Sequence, residues 1–264
     1  MSTESHGPAS GHDQVRPLLD RFTADIGRVV RLTALWAHGS LALGDFQPGR
    51  SDLDLIALVG EPVSDQQRQE LQLVHEALAA DEPLAELLHC TYVAAAELAD
   101  VSRVHATWAM SEMFDRRVSV LSRRELQAGG LALYGPDPRE VVPPVSDRQL
   151  ADYVRADLSD FWHPRTEVPH LWLREVWVDL GFLTLARASV TLQDGRLISK
   201  REAFDVLGRL GAPADVVRDI YQRRYDAQPP PVGDSWRTRR GELARSFVRQ
   251  GIERVLAATA DSDR

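Results

Sequence analysis

Hydrophobic positions along this chain fall into two regimes. Up to about residue 136, helix-length and strand-length apolar segments are interleaved, and beyond it only a helical period remains. Residues 15–30 carry the spacing of an amphipathic helix. Residues 32–36 (Leu-Thr-Ala-Leu-Trp) read as a strand that ends at His38-Gly39-Ser40, where a short helix is expected to begin. Leu53–Val59 is a nearly continuous apolar run broken only by Asp54, the length of a buried strand. Residues 64–80 return to a helical period behind Ser64 and Asp65, which suit an N-cap. Residues 87–93 and 117–121 read as further strands. In the second regime helices are expected over 146–161, 171–192, 200–208, 213–225 and 237–258, with Gln228-Pro229-Pro230-Pro231 as a loop. The proline-rich stretch 137–146 reads as a linker. The layout is therefore a disordered tail (1–12), a small α/β domain (13–136) and a helical domain (147–264).

Composition narrows the class. The chain of 264 residues is 44% hydrophobic and 27% charged, enough to bury a core in each domain. No apolar run approaches the ~20 residues of a membrane helix, and the polar N-terminus lacks the apolar stretch of a secretory signal. Cys90 is the single cysteine, so no intramolecular disulfide and no cysteine-rich metal site exist. A cytoplasmic protein without a membrane partner is expected. The net charge of -8 disfavours nucleic acid, whose backbone attracts basic surfaces, and suits a cationic small molecule.

The candidate chemistry lies in residues 37–59, AHGSLALGDFQPGRSDLDLIALV. A strand ends in Gly39-Ser40 at a helix start, a loop follows, and Asp52-x-Asp54 opens an apolar strand. Helix-start N–H groups suit phosphate, Gly39 lets the backbone approach it, and Ser40 adds a hydroxyl donor. Carboxylates at i and i+2 on a strand project from one face, where both can hold Mg²⁺ that also bridges substrate phosphates.

This ordered combination resembles the nucleotidyltransferase superfamily, and within it the aminoglycoside (3'')-adenylyltransferases that modify streptomycin and spectinomycin. Leu131-Ala-Leu-Tyr-Gly-Pro-Asp137 is similar to the segment leading into that family's helical domain, and Arg187 and Lys200 keep the family's separation of thirteen residues. The resemblance spans roughly residues 15 to 225. It implies an α+β two-domain protein, with a polymerase beta-like α/β domain on a mixed sheet followed by an α-helical bundle. It implies that Gly39, Ser40, Asp52 and Asp54 bind MgATP. Lys200 and Arg187 would reach an interdomain cleft toward phosphates or substrate, and a monomer would suffice because the second domain completes the site.

Two departures follow. The family's third strand carries a glutamate that serves as base and metal ligand; the matching position here is His89. A neutral imidazole can accept a proton from a hydroxyl but is a poor Mg²⁺ ligand. His89 is therefore either an alternative base or the mark of a site that binds with little turnover. Glu86, three residues back on a strand, would face the other side. The family's substrate tryptophan and acidic residue fall near Val168 and Leu173, so Trp172, Glu175 and Asp179 are the nearby candidates for a cationic sugar, with Trp162 and Trp177 close by. Three readings stand: transfer of AMP from ATP to a hydroxyl of an aminoglycoside-like molecule, a binding protein on a degenerate transferase scaffold, and a transferase acting on a protein.

Overall fold

The computed structural model describes residues 11–228 and 233–262. Contacts divide the chain into two units, Met1–Val145 and Ser146–Arg264.

In the first unit the helices are α1 (Gly11–Val29), α2 (Gly39–Ala42), α3 (Asp65–Asp81), α4 (Val120–Gly129) and α5 (Pro138–Val141). The strands are β1 (Leu32–Ala37), β2 (Leu53–Val59), β3 (Leu88–Ala94), β4 (His105–Ala109), β5 (Glu112–Arg116) and β6 (Leu131–Tyr134). They form one sheet in the order β5-β4-β3-β2-β1-β6. Neighbouring β2 and β3 run parallel and the other pairs are antiparallel, so the sheet is mixed. A parallel pair needs a crossover, and α3 with a 3-10 turn (Pro83–Leu87) supplies it. Ser64 caps α3 in a reciprocal capping box with Gln67.

Strand alternation sorts the core into two layers. Leu53, Leu55 and Ala57 of β2 join Leu35, Leu88 and Tyr92, and meet Leu19, Phe22 and Ile26 of α1 and Leu71 and Leu78 of α3. Each such fully buried leucine, isoleucine or phenylalanine contributes about 1.5–3 kcal/mol. Ile56 and Leu58 point the other way, with Ala34, Trp36 and Val93, and pack on Leu126 of α4. Inside the first layer His75 is stacked on Trp108 at 4.8 Å between ring centroids, and its Nε2 lies 2.8 Å from the Tyr92 hydroxyl.

The structure differs from the sequence expectations at four points. Residues 117–121 are not a strand: the sheet is completed by the β4–β5 hairpin before them, and Ser119 caps α4. The hairpin turns at Met110 and Ser111, at φ 53° and 62°, without the glycine that usually signals such a turn. Residues 131–134, expected to lead into the helical half, form β6 and pair with β1. Of the tail expected over 1–12, Gly11 and His12 open α1 and the rest lies outside the described residues. The stretch expected as a linker is fastened to α4, where Arg124 donates to the Val145 carbonyl at 2.7 Å.

Among the described residues the second unit has helices and no strand: α6 (Asp147–Ala156), α7 (His163–Arg165), α8 (Glu175–Asp194), α9 (Lys200–Arg209), α10 (Ala214–Tyr225) and α11 (Asp234–Ser262). A π-helical turn (Asp157–Trp162) joins α6 to α7. Residues 171–173 belong to a 3-10 turn (Pro169–Leu173), so α8 starts later than its apolar pattern suggests. It ends at Gly195, φ +67°, where a side chain would be strained. Of the loop expected over residues 228–231, residues 229–231 lie outside the described ones. Among the described residues no helix is long and apolar enough to cross a membrane.

His75 gives a pH signature. Burial pushes its imidazole down to about 3, so the folded chain holds it neutral. The unfolded chain binds the proton near 6.5, so this contribution is complete above that pH and declines as pH falls toward about 3. Between pH 7 and 5 the loss is about 2 kcal/mol. Urea titrations of the wild type and His75→Phe, which keeps the ring stack, should show the wild type losing this much more over that interval. Equal losses would contradict a neutral buried imidazole.

Candidate functional site

The layer under α4 turns polar at one end of the strands. On β2, Asp54 shares a face with Ile56 and Leu58, and Asp52 continues it one step before the strand. The parallel register sets Asp54 beside His89 of β3 and, one step further in, Ile56 beside Thr91. On the other side the backbone N–H of His38, just past β1, donates to the Asp54 carbonyl at 3.0 Å. His38, Asp54 and His89 therefore form one polar row across three adjacent strands, directly after an apolar row of Trp36 and Ile56.

The loop in front of β2 is held from within. Ser51 N–H donates to the Gln47 carbonyl at 2.8 Å, and Gln47 N–H donates to the Ser51 hydroxyl at 3.0 Å. Asp45 N–H returns to the Ser40 carbonyl at 2.9 Å, closing α2 into a single turn. Gly39 opens that turn at φ +62°, and a Cβ there would stand 2.8 Å from Asp54 Oδ2. The glycine is needed twice, for its backbone conformation and for room beside the carboxylate. The Ser40 hydroxyl lies 3.5 Å from the Asp52 carbonyl, at the exposed edge of the same turn.

His89 lies inside this group. Its Nδ1 is 3.6 Å from Asp54 Oδ1 and its Nε2 is 3.9 Å from Asp52 Oδ1, so each ring nitrogen faces one carboxylate. The Asp52 and Asp54 side chains retain 47% and 30% of their exposure, which leaves them open to a ligand. Glu86 sits on the exposed 3-10 turn before β3. Among the described residues no three or more His, Cys, Asp or Glu side chains are arranged to hold a metal by themselves. The donor set still fits Mg²⁺ in part. Two carboxylates suffice where substrate phosphates and water complete the shell, whereas an imidazole nitrogen is a poor member of it.

One pair escaped the sequence reading. His38 Nδ1 is 2.9 Å from Glu125 Oε2 of α4, with both side chains almost fully buried. Burial pushes the His38 imidazole down, but the Glu125 hydrogen bond and the Asp54 carboxylate outweigh it, and the net shift is upward. A histidine before a glycine and a glutamate some 87 residues later carry no local signal; only the packing of α4 on the sheet brings them together.

The remaining candidates lie in the second unit. Arg187 of α8 donates through Nε to the Ile198 carbonyl at 2.9 Å and so fixes the segment just before Lys200, the first residue of α9. Trp172 is fully buried, its Nε1 donates to the Arg165 carbonyl at 2.9 Å, and its ring fills the space beside Gly181. It presents no ring face to a ligand, which corrects its expected substrate role. Asp179 is held by Arg223, and Glu175 Oε1 lies 3.6 Å from Arg240. Both carboxylates are already matched by the unit's own arginines.

A mixed sheet, a glycine turn ahead of a D-x-D strand and a following helical unit give this chain the fold of a solved adenyltransferase. Among solved structures the chain matches spectinomycin adenyltransferase AAD(9) from Enterococcus faecialis, whose structure contains ATP and spectinomycin. The match has a TM-score of 0.68 and 13% identity, and covers 90% of this chain and 98% of that one. No protein-family model matches the sequence, and no curated protein sequence matches it significantly.

Two glycines separate backbone strain from crowding. Gly39 and Gly44 have similar φ, +62° and +67°, but a Cβ at Gly44 meets nothing within 4 Å. Gly44→Ala should cost about 1–2 kcal/mol in denaturant titrations, the price of the left-handed backbone. Gly39→Ala should cost measurably more because Asp54 must move. Equal costs would show that Asp54 is not confined by the turn.

Proposed function

We propose that this protein transfers AMP from ATP to a hydroxyl of an aminoglycoside-like small molecule, releasing pyrophosphate. The first unit is the nucleotide half of the enzyme and the second is the acceptor half. The observation that carries this reading is the convergence of Asp52 and Asp54 on the Gly39-Ser40 turn: a Cβ at Gly39 would stand 2.8 Å from Asp54 Oδ2, and the Ser40 hydroxyl lies 3.5 Å from the Asp52 carbonyl. In the adenylyl transfer an acceptor oxygen bonds to the α-phosphorus, the bond to the β-phosphate oxygen breaks, and pyrophosphate departs with that electron pair. Backbone N–H groups of the turn and the Ser40 hydroxyl bind phosphate oxygens. Asp52 and Asp54 hold Mg²⁺, which when bound neutralises the triphosphate and lowers the barrier for its displacement. His89, beside both carboxylates, accepts the proton of the attacking hydroxyl. Lys200 and Arg187 are assigned to the acceptor half as groups for phosphate or substrate.

A second reading rests on the same histidine. With a nitrogen where a third carboxylate is expected, the site binds MgATP and turns over little. The test is pyrophosphate release from ATP and Mg²⁺ with a panel that includes spectinomycin and streptomycin, for the wild type, Asp54→Asn and His89→Glu. Transfer predicts release that Asp54→Asn reduces at least about 100-fold and that His89→Glu alters. If His89→Glu creates activity that the wild type lacks, the native site is degenerate. Absence of release with every acceptor from the wild type and from His89→Glu, with no MgATP binding by calorimetry, contradicts both readings.

A further inference from the structure

We infer that Glu125, acting through His38, is a positioning residue for the Gly39-Ser40 turn and the Asp54 carboxylate. The role assigned to that turn rests on the function proposed above; the mechanical coupling does not.

His38 is the hinge between the last residue of β1 and the first of α2, and it is held at two points. Its backbone N–H is fixed to the Asp54 carbonyl at 3.0 Å, which sets the height of the turn against β2. Its ring is fixed to Glu125 Oε2 at 2.9 Å, which sets the turn against α4. No side chain caps the start of α2, so the His38 side chain is committed to Glu125 and not to the helix it precedes. The α2 helix is a single turn and has little stability of its own. Its position therefore depends on these outside contacts.

The cost of the arrangement points the same way. Glu125 is a carboxylate on the buried face of α4, next to Leu126, which packs with Trp36 and Ile56. An apolar residue would extend that layer without the desolvation penalty of a buried acidic group. The carboxylate sits where the layer turns polar, opposite His38, whose backbone N–H donates to the Asp54 carbonyl. A network of this kind fixes one geometry where apolar packing would accept several. Loss of the Glu125 contact frees the His38 ring, and the turn with it, while Asp52, Asp54 and His89 remain on their strands.

Two Glu125 variants separate positioning from bulk packing. Glu125→Leu keeps the volume and removes the acceptor; Glu125→Gln keeps an acceptor for His38. In the ligand-free protein, hydrogen–deuterium exchange of the backbone over residues 38–44 should rise at least about fivefold in Glu125→Leu and stay near wild type in Glu125→Gln. Exchange in β2 and α1 should be unchanged in both. If Glu125→Leu does not fold, His38→Phe, which keeps the ring volume, takes its place with the same expectation. In MgATP calorimetry the Leu variant should bind at least about tenfold more weakly, with the Gln variant restoring affinity. Wild-type exchange over 38–44 in Glu125→Leu, or equal behaviour of the two variants, overturns the inference. A wild type that binds no nucleotide overturns the proposed function instead, while the exchange result still decides the positioning role.

Discussion

The site depends on a register. Parallel pairing of β2 with β3 sets Asp54 beside His89, and the His38 N–H to Asp54 carbonyl bond sets the end of β1 on the other side. A slip of one residue in either pairing would turn the carboxylates to the opposite layer, among Leu55, Leu53 and Leu88. The apolar layers enforce the register, because Ile56 and Leu58 must stay under Leu126 while Leu55 and Ala57 stay with α1 and α3. The same side chains that stabilise the fold thus place the chemistry. Gly39 then completes it, since any side chain there would collide with Asp54.

What was legible in the sequence follows from which signals are local. The D-x-D strand, the Gly-Ser turn and the capped helix after Ser64 announce themselves within a few residues. The β4–β5 hairpin did not, because its turn uses Met110 and Ser111 in a glycine-like conformation and β5 is a largely exposed edge. β6 was hidden because a four-residue strand has too short a pattern to read. His89 was legible from its place on the third strand, and the structure sets its ring 3.6 Å from Asp54 and 3.9 Å from Asp52. The His38–Glu125 pair was not legible, since only tertiary packing brings its members together.

The helical unit shows a different economy of charge. Arg240, fully buried, meets Asp219 at 3.1 Å and Glu175 at 3.6 Å, and Arg223 is bound to Asp179 and Asp219. These contacts tie α8, α10 and α11 together. Buried ion pairs of this kind fix geometry more than they add stability. They also mean that acidic residues read from the sequence as sites for a cationic ligand serve the unit's own architecture.

The central claim is that the polar row and the glycine turn form one nucleotide site. The most direct measurement is a crystal structure with Mn²⁺ and a non-hydrolysable ATP analogue, with the metal located by its anomalous signal. The account predicts an anomalous peak within coordinating distance of both Asp52 and Asp54, with the analogue's phosphates against the backbone of Gly39 and Ser40. A nucleotide bound elsewhere, or a metal peak that involves neither aspartate, would contradict it.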